Sequence, residues 1–184
     1  MTSAELPSRV RDIPDAALSP AQRAAIDALL GGRGRIPTPY KVWLASPEMM
    51  RHMERLGTFL VTASSLTERE RELAILVVAH HWHGAYVFAA HTRAGRQVGI
   101  SDAVIDAIAH GRMPDLDDPR ERAVVAIANS AEQKEPAGDA IFDGAVAALG
   151  EDGLAELIVF LGYYSAVAIA MKMFRAPIPN PNRA

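Results

Sequence analysis

The chain has 184 residues, a formal net charge of −3 and 49% hydrophobic residues, which is enough apolar material for one domain with a substantial core. No basic excess or Lys/Arg block supplies the electrostatic footprint of phosphate-backbone binding, so nucleic acid is not an expected partner. Cysteine is absent, which excludes disulfides, thiolate nucleophiles and cysteine-held metals.

The opening "MTSAELPSRVRDIPD" has no apolar run after its charges and does not resemble a secretory signal, so the cytoplasm is the expected compartment. Pro7, Pro14, Pro20, Pro37 and Pro39 punctuate the first forty residues, with "GGRGR" among them. Residues 1–40 are therefore expected to form a surface-wrapping extension around one short helix in "SPAQRAAIDALLGG", capped by Ser19, with Pro20 first and glycine as the stop. "SPEMMRHMERLGTFLVTA" starts the same way at Ser46 and Pro47 and keeps helical apolar spacing. In "TEREREL", Thr67 and Glu70 fit a capping box, each side chain serving a backbone N–H of the first turn. Gly84 is expected to break that helix, with a second running from near Tyr86 to about Val98.

Gly99 then ends one helix and Ser101 caps the next in "GISDAVIDAIAHG". "DDPRERAVVAIANSAEQK" and "AIFDGAVAALG" add two more helices, and no stretch holds period two long enough for a sheet, so the class is all-α. "RERELAILVVA" and "RERAVVAIANSA" are alike enough to be halves of a duplication, although any charge-capped, alanine-rich buried helix has this look. "LIVFLGYYSAVAIAM", Leu157 to Met171, is uncharged, but a membrane span needs about 20 residues and Glu156 and Lys172 bracket this segment. It reads as a helix buried on nearly all sides, partly by another subunit, and no membrane association is expected.

Four of the six histidines fall within "LAILVVAHHWHGAYVFAAH", Leu73 to His91. On a continuous helix His80 and His83 share a face, with Glu72 two turns back on the side of His80. Imidazoles and a carboxylate are competent metal ligands, but the paired Glu-x-x-His motifs of bundle metal sites are missing, so no metal is expected. A metal-binding protein using Glu72, His80, His83 and His91 stays as an alternative. His81 reads as a surface residue. Glu72 and His91, on neighbouring buried helices, can share a proton for acid–base work, or they can simply fix helix packing.

The stretch "RERELAILVVAHHWHGAYVFAAHTRAGRQVGISDAVIDAI" resembles the core of the carboxymuconolactone decarboxylase and alkylhydroperoxidase D superfamily: a helix with a glutamate, a break, a helix ending in histidine, a "G-[ILV]-[ST]" turn and another helix. The resemblance implies a single-domain, all-α, alkylhydroperoxidase D-like bundle over 41–176, followed by a tail, 177–184. It also implies a homo-oligomer (dimer, trimer or hexamer), an expectation that the apolar tail helix shares. In the peroxidase branch a glutamate precedes the histidine by nineteen positions, as Glu72 precedes His91, and two cysteines stand where this chain has Gly84 and Val87. Thiol peroxidase chemistry needs an attacking and a resolving sulfur, so it is excluded. The decarboxylase branch places a glutamate at the position of Val87 and an arginine two after the histidine, here Arg93.

The resemblance thus implies a cofactor-independent lyase or isomerase acting on a small carboxylated lactone or keto-acid. His91 would be the acid–base group, Glu72 its orienting partner, and His83 a second proton carrier replacing what Val87 removes. Arg93 would anchor a carboxylate, because guanidinium grips one in bidentate fashion. Trp82, Tyr86 and Phe88 would wall the cavity, His80 would contact substrate, and Tyr163 and Tyr164 would offer phenol donors. The rivals are an oxidative-stress protein without thiol chemistry and a non-catalytic module that binds a small ligand.

Overall fold

The computed structural model describes residues 6–133 and 136–179. After a 3-10 turn at Asp15–Ala17 come eight helices among the described residues: α1 Pro20–Arg33, α2 Thr38–Trp43, α3 Pro47–Thr62, α4 Glu68–His81, α5 Ala85–Gln97, α6 Asp102–Ala109, α7 Pro119–Glu132 and α8 Asp139–Met173. No strand occurs among those residues, and the helices form one bundle.

Helix α4 is the axis of the bundle. Its run Leu73 to Ala79 is apolar on every side and completely buried, as a helix without a polar face must be. It packs against α5, α6, α7 and α8. The capping box at its start is formed, with Thr67 accepting from the Glu70 N–H and Glu70 accepting from the Thr67 N–H. Glu70 is also the most deeply buried carboxylate among the described residues, 2% exposed, and its other oxygen accepts from Arg120 Nε at 2.7 Å. The neighbouring pair runs the opposite way, Arg69 to Glu121. The two "RER" segments of α4 and α7 therefore exchange partners reciprocally. Arg71 and Arg122 extend the likeness, each donating to a carbonyl of the loop before its own helix, at Leu66 and Leu116.

The first forty residues are more than a wrapping. Ala25 and Leu29 of α1 and Tyr40 of α2 are buried in the common core, and the boundary expected at 40/41 falls inside α2. That helix is hidden in the sequence because Pro37 and Pro39 look like loop punctuation, whereas Pro39 occupies a first-turn position where no N–H is needed. α1 runs through Gly31 and Gly32 and stops at Gly34, which has φ +67 and donates to Leu30 O. α8 is interrupted at Gly150, with φ +76 and ψ 166. Its apolar segment is not covered all round: Ile158 and Val159 remain 53% and 47% exposed. By length and composition alone α8 could cross a membrane, yet 44% of its most apolar stretch is buried by this chain. Lys134, the last residue of the segment read as α7, lies outside the described residues, as do 180–184 of the expected tail.

Candidate active site

The break after α4 lets α5 fold back along it. Gly84 N donates to Ala79 O, its Cα lies against the core near Ala168, and α5 starts at Ala85 without a side-chain cap. The reversal brings Glu72 of α4 opposite His91 of α5. His91 Nδ1 lies 2.8 Å from Glu72 Oε2, with the two side chains 22% and 16% exposed. A carboxylate at Nδ1 selects the tautomer with hydrogen there, which leaves the Nε2 lone pair free for chemistry. The Tyr164 ring stands edge-on to the imidazole at 5.5 Å and 89°, and Phe160 backs Tyr164.

His91 opens on a cavity of about 240 Å³ whose walls include Tyr86, Val87, Tyr163 and Tyr164. Tyr163 Oη lies 3.2 Å from Tyr40 Oη, and burial first, then this contact, pushes its phenol well above the ordinary range. Burial, followed by the Glu72 charge, does the same to Tyr164. Both phenols thus stay protonated and can donate. Glu72 itself faces a second cavity of about 250 Å³, on the far side of the pair, with Glu68 and Arg71. Tyr164 and Val61 form part of both walls.

The other expected residues disperse. His80, His83 and Phe88 line a different cavity of about 390 Å³, which shares no residue with that of His91. The reason is helical period. Ala85, Phe88 and Ala89 form one face of α5, while Tyr86, Val87, Ala90 and His91 form another. His83 therefore does not replace the group missing at Val87, and its φ of +49 places it in the bend before α5. Arg93 is exposed and lines no cavity described here, because two residues on a helix are about 200° apart and His91 already faces inward. Trp82 packs against the core, with a buried Nε1 that finds no partner among the described residues. His81 is half-buried rather than free in solvent: its Nε2 meets Asn129 Oδ1 at 3.0 Å and ties α4 to α7.

No three His, Asp or Glu side chains converge on a possible metal position among the described residues, and the four-residue set Glu72, His80, His83 and His91 is split between cavities. Missed by the sequence reading are Arg33 and Arg35, which flank Gly34 and line the cavity of His91. The signal was the glycine itself. A left-handed stop between two arginines turns both toward one side, but "GGRGR" alone does not say what they face.

Residues 47–130 match the family model of the carboxymuconolactone decarboxylase family. Among solved structures, the alkylhydroperoxidase AhpD core of an uncharacterised peroxidase-related protein from Ralstonia eutropha JMP134 is 19% identical and covers 97% of this chain and 95% of its own, with a TM-score of 0.74. An uncharacterised peroxidase-related protein from Silicibacter sp. TM1040 is 19% identical over 98% and 96%, with a TM-score of 0.70. The debrominase Bmp8, in complex with 2,3,4-tribromopyrrole, is 12% identical over 96% and 94%, with a TM-score of 0.72. At these identities the structures speak for the fold alone. No curated protein sequence matches the chain.

Proposed function

Since this chain belongs to the carboxymuconolactone decarboxylase and alkylhydroperoxidase D-like superfamily, as a member without cysteine, we propose that it is a cofactor-independent lyase or isomerase that moves a proton on a small carboxylated lactone or keto-acid. The observation that carries the reading is the 2.8 Å contact between Glu72 and His91 at the wall of a cavity of about 240 Å³. In a decarboxylation the bond to the carboxylate breaks, carbon dioxide leaves, and its electron pair enters the neighbouring carbonyl as an enolate. His91 then delivers a proton to carbon, Glu72 stabilises the imidazolium that precedes this step, and a phenol of Tyr163 or Tyr164 donates to the enolate oxygen. Solvent restores the proton.

The test is turnover of a panel of carboxylated lactones and β-keto-acids, followed by NMR in deuterated water so that proton delivery leaves a label. His91→Ala is expected to lower the rate by about 10²- to 10⁴-fold, the usual worth of a positioned acid–base group. Glu72→Gln, which keeps a hydrogen bond but loses the charge, should fall in between. Turnover that survives His91→Ala overturns the reading. A second reading, a ligand-binding module without chemistry, is favoured by Val87, an inert side chain at the cavity position where both branches carry their reactive group. Binding without turnover is its outcome. We also propose a homo-oligomer, supported by the uncovered apolar stripe of α8.

A further inference from the structure

From the charge distribution around the cavity of His91 we infer that Arg35 selects a single-ring organic anion and holds its carboxylate. The inference rests on this cavity being the substrate site proposed above, and it names the residue and the charge by which that site chooses its ligand.

The cavity wall contains two guanidinium groups, one imidazole and four phenols, but no carboxylate. The Glu72 carboxylate lies behind His91 and opens on the neighbouring cavity. The two arginines are not equivalent. Arg33 is already engaged: its Nε reaches Glu54 at 3.4 Å, its Nη2 donates to Thr58 at 3.1 Å, and its guanidinium lies over the Tyr40 ring. Arg35 makes no ion pair and no side-chain hydrogen bond among the described residues, yet it borders the same cavity. Among the described residues its charge has no counterion, and none of the residues lining the cavity is an anion. A ligand carboxylate would satisfy both, and the planar fork of five donors fits that group in bidentate fashion.

The backbone holds Arg35 at this position. Gly34, at φ +67, ends α1 in a conformation that other residues rarely adopt, and Pro37 at the start of α2 fixes the other side of a short segment. The guanidinium is thus delivered on a restrained connection between two helices packed on α3. The remaining wall is largely aromatic and aliphatic, with Tyr86, Val87 and Val167 among its residues, which suits the face of a ring. Arg35 stands outside residues 47–130, the segment that matches the family model, as do Tyr40, Tyr163 and Tyr164. The acid–base pair lies inside it. Selection of the anion is therefore built from parts that this chain adds to the family segment.

The test uses benzoate and its neutral isostere benzamide as probes of the full chain, with dissociation constants from NMR titration or calorimetry. Wild type should bind benzoate more tightly than benzamide, and added sodium chloride should weaken only benzoate. Arg35→Gln should weaken benzoate about tenfold or more and leave benzamide unchanged, since a hydrogen bond to a charged group is lost. Arg35→Lys should keep part of the preference, and Arg93→Gln should keep all of it. Arg35 is exposed and has no partner among the described residues, so thermal melting of Arg35→Gln should match wild type and separate a binding loss from misfolding. Equal binding of the two probes by wild type, or an undiminished preference in Arg35→Gln, overturns the inference. Failure of the catalytic reading has a different signature: anion binding that depends on Arg35, with no turnover of any lactone or keto-acid.

Discussion

Gly57 sits in α3 where the helix touches the cavity wall, and a Cβ built there would overlap the Tyr163 hydroxyl and lie 2.9 Å from its Cζ. Tyr163 cannot retreat freely, because its ring is buried and its oxygen is paired with Tyr40. Gly57→Ala should therefore displace the phenol, cost about 1–3 kcal/mol in urea unfolding, and weaken ligand binding at the same site. His80 offers a different test. Burial, and then the neighbouring His81, hold its imidazole below the ordinary 6.5. The unfolded chain consequently takes up a proton that the native state refuses, so this contribution is intact above about pH 6.5 and is lost as the pH falls through that value toward the lower folded one. Acidification from about pH 7.5 to about pH 5.5 should lower Tm, and His80→Gln should show a smaller drop. Single residues were legible in the sequence only where one spacing fixed them. Glu72 and His91 are brought together by an observable break at Gly84, but Arg93 could be set aside only by knowing which way His91 faces, and Arg35 only by knowing where the chain turns after α1.

At the level of elements, the contact between α4 and α7 is held by the reciprocal pairs Arg69–Glu121 and Glu70–Arg120. Glu70 does two things at once, closing the capping box of α4 and neutralising Arg120, whose cation is stabilised first by that hydrogen bond. Glu70→Ala should lose both and destabilise the fold by about 2–4 kcal/mol, since it strands part of an ion pair and a helix N-terminus together. Glu70→Gln keeps an acceptor for Thr67 and should cost less. Chemical denaturation of both variants, compared with wild type, decides this, and equal losses would mean that the cap contributes nothing. Helices with a capping box or a Ser-Pro start were readable because their signals are local. α2 was not, since two prolines gave the same signal as a loop, and the reciprocity of the "RER" segments emerged only when their partners across α4 and α7 were visible.

The whole molecule leaves one face of α8 unsatisfied. Ile158, Val159 and Met173 are exposed at 53%, 47% and 55%, with Gly162 and Ala166 also open to solvent along the helix. An apolar stripe of this kind is expected to be covered by a second copy. Light scattering at micromolar concentration should give a mass that is a multiple of 19.8 kDa, and Ile158→Glu should lower it. A wild-type mass of one chain would show that the stripe is tolerated in water. The all-α class was legible at this scale from helical period, and the bundle from the family resemblance. The division of the interior into separate cavities was not, because it depends on which side of α5 each residue occupies.

The turn at Gly34 carries a further consequence for how such a protein can diversify. The Glu72–His91 pair belongs to α4 and α5, whereas Arg35 arrives on the connection between α1 and α2. On the proposed roles, reactivity and choice of ligand would sit on separate pieces of the chain, and a substitution in one need not disturb the other. Exchanging residues 33–40 between two proteins of this fold would amount to refitting the lock while leaving the bolt in place.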